Sequence, residues 1–221
     1  MIIALDGPAA SGKGTLSRNI SSQYGLAHLD TGSLYRAVAL AVIQAGGDPS
    51  SAADALAAVG RLREMDLSSP ALRTAEVGAA ASPVAAIPAV RDALTGYQRD
   101  FATNPPELAD GTGAHGAVLD GRDIGTVICP DADVKFFVTA DVETRAERRH
   151  KELLGRGEQS IYAEILHDLR ERDNRDSSRS VAPMVAAPDA FVLDTSDLDA
   201  QAALAVCIAE IMRLTGRTPL S

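Results

Sequence analysis

The sequence predicts an α/β fold: a doubly wound, five-stranded parallel sheet flanked by helices. Three observations predict it. Short apolar runs recur at residues 2–5, 26–29, 117–120, 134–138 and 190–193. Helical patterns separate them, so strand and helix alternate. The first run leads at once into a glycine-rich loop with a lysine, the arrangement found where a parallel strand hands over to a helix.

The elements follow in order. Residues 2–5 form an uninterrupted apolar strand. Gly7 and then Gly12-Lys13-Gly14-Thr15 follow, with Leu16 and Ile20 four apart on a helix that Gly25 ends. Strand, glycine-rich loop and helix make a phosphate-binding loop. Glycines let successive N–H groups turn toward an anion. The helix adds its positive end, and Lys13 adds a full charge for the β- and γ-phosphates. The candidate phosphate-binding residues are Gly7, Pro8, Ala9, Ala10, Ser11, Gly12, Lys13, Gly14 and Thr15. The general pattern puts a hydroxyl directly after the lysine. Here Gly14 stands there, so magnesium is expected to rest more on phosphates and water than on the loop.

Residues 26–29 are a second strand. Asp30 or Thr31 caps the next helix, which carries Leu34, Val38 and Val42 on one face and stops at Gly46-Gly47. A further helical stretch starts at Asp48-Pro49-Ser50 and runs to about Glu64. The Ala-, Ser- and Pro-rich residues 65–88 read as a small insert of short helices. Val90, Leu94, Tyr97 and Phe101 mark an amphipathic helix that Asn104-Pro105-Pro106 ends. Residues 110–116 form a loop. Strands at 117–120 and 134–138 precede a charged helix over about 142–154. Ile161, Ile165 and Leu169 define another helix, residues 190–193 a fifth strand, and Leu204, Ile208 and Ile211 a closing helix before Gly216.

In such sheets ligands sit at the carboxyl ends of the strands. That rule gathers residues 7–15, 30–36 and 120–123. Arg36 lies within reach of the strand ends, although a lone helix arginine is as readily a surface residue. Arg122, directly after a strand, offers a fork for phosphate. Asp120 is placed either to order magnesium or to cap a turn. Arg145, Arg148 and Arg149 share one helix. Arg172, Asp176 and Arg179 share one side if their helix persists. Each cluster reads either as a solvated face or, beside a triphosphate-type loop, as a closing lid.

The net charge of -9 argues against a general nucleic-acid binder but not against a mononucleotide, which needs only a local basic pocket. Cys129 and Cys207 stand in unrelated contexts and suggest neither a disulfide nor a metal site. No apolar run reaches membrane-spanning length, and residue 2 already begins a core strand, so a cytoplasmic protein without a membrane partner is expected. There is no Ser-His-Asp or Cys-His pattern. Phosphoryl transfer to an already ionised phosphate, with neither a general base nor a covalent intermediate, fits this inventory.

With these residues in hand, the chain resembles the bacterial cytidylate kinases, a group of nucleoside monophosphate kinases. The matching pieces are Asp6-Gly7-Pro8 with Gly12-Lys13-Gly14-Thr15-Leu16, residues 30–36, residues 82–101 with Val90-Arg91, residues 120–127, residues 134–137, and residues 171–183. They run in family order over nearly the whole chain. The resemblance implies a P-loop NTPase fold with a small nucleotide-binding insert and a lid. It implies one domain, with its core in 1–36, 117–145 and 185–221, a monophosphate-binding insert over about 37–110, and a lid over about 148–180. It implies transfer of the γ-phosphate of ATP to CMP or dCMP, with Mg2+ as cofactor, by a monomer that acts without nucleic acid.

The same resemblance implies residue roles. Lys13, Arg122, Arg36 and Arg172 are catalytic. Arg36 and Arg122 hold the acceptor phosphate; Ser82, Arg91 and Asp123 read cytosine; Asp176, with Arg172 and Arg179, holds the ribose and its phosphate. Thr31 joins the acceptor-binding set. Arg148, with Arg149, belongs to the lid over the donor. Base choice can also be argued from chemistry: Asp123 can accept from the N4 amine, and Arg91 can donate to N3 and O2. Uracil reverses both. The alternatives are a kinase for another monophosphate or for a hydroxyl acceptor, and a nucleotide-binding switch without turnover. Residues 65–82 are shorter than the insert of the family's longer form, the 110–116 loop is extra, and Ala10 stands where relatives commonly have glycine. An alanine fits there only if it keeps a negative φ.

Overall fold

The computed structural model describes residues 1–62 and 65–220. Five strands, β1 (Ile2–Asp6), β2 (Ala27–Asp30), β3 (Ala117–Asp120), β4 (Val134–Thr139) and β5 (Phe191–Asp194), form one sheet in the order β2-β3-β1-β4-β5. β1 pairs in parallel with β3 and β4, and β4 with β5. The apolar run that predicts β1 is thus the central strand, and Ile3, Ala4 and Leu5 are fully buried. Leu5 lies opposite Asp120, and Asp6 opposite Phe137. This register brings the segments after β1 and β3 to one edge of the sheet.

The helices are α1 (Lys13–Tyr24), α2 (Thr31–Gln44), α3 (Ala52–Val59), α4 (Ala75–Ala86), α5 (Pro88–Thr103), α6 (Val142–Gly155), α7 (Tyr162–Ser178) and α8 (Ala200–Thr215). One core joins α1, β1, β4 and α8 through Leu16, Ile20, Phe136 and Ile211. The chain divides into two compact units: residues 1–29 with 102 onward, and residues 30–101. In the second unit, α2 packs on α3 and α4. Its Leu34, Val38 and Val42 are buried, as their spacing predicts.

Several boundaries and faces differ from the expectation. α3 begins at Ala52, where the Ser51 hydroxyl accepts from the Asp54 N–H, and it ends at Val59; Glu64 lies outside the described residues. Asp30 occupies the cap position of α2, but its side chain does not cap. It turns instead to Arg36, with Nη1 3.2 Å from Oδ2. The buried stripe of α5 is rotated from the apolar pattern. Val90 and Leu94 are buried, but Tyr97 is exposed, and Arg91 and Gln98 take interior places. Gln98 is satisfied there by donating to the Leu94 carbonyl at 3.2 Å. Ile161 precedes α7 and is exposed. In α8 the buried residues are Ala203, Cys207 and Ile211, one position off Leu204 and Ile208. Burial pushes the Cys207 thiol up to about 12, so it is an inert core group.

Gly7 is dictated by a close approach. Its φ is +136°, and a Cβ there would lie 2.0 Å from the Val138 carbonyl oxygen on β4. The chain leaves β1 pressed against its neighbouring strand, which no other residue permits. Gly7→Ala is therefore expected to destabilise the chain by more than ~3 kcal/mol. Thermal unfolding checks this; a midpoint within a degree of the parent would refute it.

Candidate phosphate-transfer site

The loop between β1 and α1 is shaped by what holds its carbonyls. Arg145 Nη1 donates to the Ala9 carbonyl at 3.2 Å, and the Thr195 hydroxyl lies 3.2 Å from the Ser11 carbonyl. In a trans peptide the N–H points opposite to the C=O. Holding these carbonyls therefore aims the Ala10 and Gly12 N–H groups away from Arg145 and Thr195. Lys13 Nζ donates to the Pro8 carbonyl at 2.6 Å. Gly12 stands at the N-terminus of α1 with a φ of 91°. Ala10, expected with a negative φ, has a φ of 60°. This corrects the expectation: the loop places a left-handed alanine there, directly after the Ala9 peptide that Arg145 holds. Thr15 is exposed, with its hydroxyl 3.4 Å from Arg18.

Around Lys13 the same unit gathers charge. Asp6, at the end of β1, accepts from the Ile124 and Gly125 N–H groups at 2.8 and 2.7 Å. It thereby fixes the π-helical turn Ile124–Ile128 that follows Asp123. Burial pushes the Asp6 carboxyl up to about 6, against these two amides. Lys13 is held well below its ordinary value by burial first and then by Arg122, with Arg172 adding to the effect. Asp120 is buried and meets His28 Nε2 at 2.8 Å. Burial raises its carboxyl, but the His28 and Ser17 hydrogen bonds and the Lys13 charge hold it below the usual range. Arg122 Nε donates to Asp176 Oδ2 at 2.9 Å, and Arg172 Nε lies 3.9 Å from the same oxygen. Burial also raises Asp176, and the charges of Arg122 and Arg172 outweigh it. α7 persists through Asp176, so Arg172 and Asp176 do share one side; Arg179 sits at its C-cap.

Arg36, Thr31, Ser82 and Arg91 belong to the other unit. Thr31 is buried in the first turn of α2, and Ser82 is half-buried on α4. Arg91 is buried. Its Nη1 donates to the Ala85 carbonyl at 3.1 Å, and its guanidinium stands 5.5 Å from the centre of the Tyr35 ring. Asp123 is buried at the start of the π-helical turn. Among the arginines of α6, Arg149 pairs with Glu152 one turn on. Arg148 donates to the Thr195 hydroxyl and to the Thr195 and Leu198 carbonyls.

Sequence reasoning did not single out the role of Arg145, nor Thr195 or His28. Thr195 follows β5 directly, so the strand-end rule that gathers residues 120–123 applies to it equally. Arg145 lies in the first turn of the helix after β4. His28 gives no signal until β2 and β3 are placed side by side.

The family model and the curated relatives agree on one family. The family model described as cytidylate kinase matches residues 3–213. The cytidylate kinase of Rhodospirillum rubrum is 57% identical over 208 residues, covering 94% of this chain and 95% of that one. The cytidylate kinase of Paramagnetospirillum magneticum is 55% identical over 210 residues, covering 95% and 97%. That of Xanthobacter autotrophicus is 54% identical over 218 residues, covering 98% and 100%. An uncharacterized protein from Eubacterium ventriosum shares the fold, with a TM-score of 0.55 at 13% identity over 96% of this chain and 98% of that one.

The strain at Ala10 is measurable. Ala10→Gly removes the left-handed penalty on a Cβ and is expected to stabilise the chain by about 1 kcal/mol, or about 2–4 °C in Tm. A Tm that is unchanged or lower would show that the turn carries no strain.

Proposed function

The chain belongs to the cytidylate kinase family and transfers the γ-phosphate of ATP to CMP or dCMP, giving CDP or dCDP and ADP; we propose the residues that do this. The observation that carries the assignment is geometric: Lys13 is held in the phosphate loop on the Pro8 carbonyl, while Arg122 and Arg172 both converge on Asp176, and burial first and then Arg122 and Arg172 depress the Lys13 ammonium. A buried lysine with two half-buried arginines beside it is stabilised when an anion arrives, and most of all when charge spreads over equatorial oxygens in the transition state.

In this reading residues 7–15 bind the β- and γ-phosphates of ATP through backbone N–H groups and Lys13. Arg36 and Arg122 hold the acceptor phosphate. Arg172 stabilises the transferring group, and Asp176 with Arg172 and Arg179 orients the ribose and its phosphate. Thr31 contributes a hydroxyl to the acceptor. Arg148 exchanges its bonds to Thr195 and Leu198 for the donor. No base is needed, because the attacking oxygen belongs to an ionised phosphate. Mg2+ arriving with ATP would supply charge neutralisation at the phosphates. Asp120, a hard oxygen donor beside Lys13, suits ordering its water shell.

Ser82, Arg91 and Asp123 select cytosine. Arg91 is pre-ordered by Ala85 and Tyr35, so its donors are fixed before the base arrives. Uracil would set a donor against the guanidinium and an acceptor against the carboxylate, leaving buried groups unpaired. The core over 1–36, 117–145 and 185–221, the insert over about 37–110 and the lid over about 148–180 are the working parts of a cytoplasmic monomer.

Coupled ADP-release assays test these roles. Lys13→Ala is expected to cut kcat by at least ~100-fold with the fold retained, as for loss of a transition-state donor. Near-normal turnover would refute its role. Asp123→Asn is expected to narrow the CMP-over-UMP preference in kcat/KM by at least ~10-fold while changing the KM for ATP less than ~3-fold. Equal turnover of CMP and UMP by the unaltered chain would exclude the proposed base readers.

A further inference from the structure

Arg145 is buried on α6, and its guanidinium joins three parts of one unit. Nε donates to the Ala140 carbonyl at 2.8 Å, just beyond β4. Nη1 donates to Ala9 in the phosphate loop at 3.2 Å, and Nη2 to Asp173 Oδ2 on α7 at 2.6 Å. Asp173 stands between Arg172 and the Asp176 turn, on the helix assigned to the acceptor. Its other oxygen, Oδ1, is buried without a hydrogen bond among the described residues. The Arg145 fork holds this carboxylate by Oδ2, and the same planar group fixes a loop peptide. A rigid fork cannot shift toward one acceptor without altering the other.

We propose that Arg145 and Asp173 are positioning residues that couple the phosphate loop to α7, so that occupation of the donor site and of the acceptor site favour one another. The inference rests on the reading of α7 as an acceptor-binding helix. An ATP phosphate that accepts from the Ala10 N–H polarises the same peptide and tightens the Ala9 carbonyl's bond to Arg145, and the shared guanidinium passes this to Asp173 and the turn bearing Arg172 and Asp176. By linkage, the effect runs equally from CMP to the donor.

The test is calorimetric titration of the full chain with a non-hydrolysable ATP analogue, with and without saturating CMP. The ratio of the two dissociation constants is the coupling. The parent chain is expected to bind the analogue about fivefold or more tighter with CMP present. Asp173→Asn keeps the shape and removes the charge. It is expected to bring the ratio below about twofold, while each ligand alone binds within about threefold of the parent. Arg145→Lys, which keeps the charge but loses the fork, serves as the second variant with the same expected loss. The double variant should be no worse than either single one, as for residues acting as a unit. A parent ratio near one, a ratio preserved in Asp173→Asn, or additive losses would overturn the proposal. If CMP binds normally and only the ratio is unmoved, this inference falls alone; if CMP does not bind the parent, the acceptor reading falls with it.

Discussion

The functional half of this molecule depends on a set of carbonyl groups being taken up by side chains behind the phosphate loop. A loop can present N–H groups to an anion only if the opposite ends of the same peptides have somewhere to go. Arg145 takes the Ala9 carbonyl, and Thr195 takes that of Ser11. Thr195 in turn accepts from Arg148 at its hydroxyl and donates its backbone N–H to the Thr139 carbonyl. The loop conformation is therefore set by α6 and by the connection after β5, elements far from it in sequence. The left-handed Ala10 follows directly on the Ala9 peptide that Arg145 holds, so the loop carries strain at a point where its path is fixed from behind.

What stands in front of the loop is the complement of what stands behind it. Lys13 shares its surroundings with Arg122 and Arg172, and with Asp6 and Asp120 as counter-charges. Asp176 pairs with Arg122 and Arg172, but Asp6 and Asp120 do not pair directly with Lys13. Asp6 faces two amides, and Asp120 faces His28. Each of these two acids is thus engaged by a neutral or titratable partner, which leaves positive potential for the nucleotides. A chain with a net charge of -9 can bind anions tightly because local arrangement, not overall charge, sets the field inside a pocket.

How legible this was in the sequence follows from the kind of signal each part leaves. β1 and the loop announce themselves because a buried central strand must be apolar and a close approach to Val138 demands a glycine. The strand-end arginine Arg122 was readable by position. The face of α5 was misjudged because an apolar pattern cannot reveal a buried Gln98 that satisfies itself on Leu94, nor a buried Arg91 held by Ala85. Ala10 was misjudged because its φ depends on the path of the loop, whose preceding peptide is held by Arg145 from a distant helix that no local pattern contains.

These misses share a cause: each concerns a polar group whose partner is a backbone carbonyl. Carbonyls carry no residue identity, so a side chain recruited to hold one leaves no paired motif in the sequence. Arg145 illustrates this. As one of several arginines on a charged helix it read as part of a closing lid rather than of a solvated face, yet it is buried with its donors directed at two carbonyls and at Asp173. The distinction matters for reading such chains. Arginines that contact nucleotides need open space in front of them, whereas those that shape the loop need carbonyls behind it. Arg145 already has its three partners without a ligand, so its effect on the nucleotide passes through the peptide it holds.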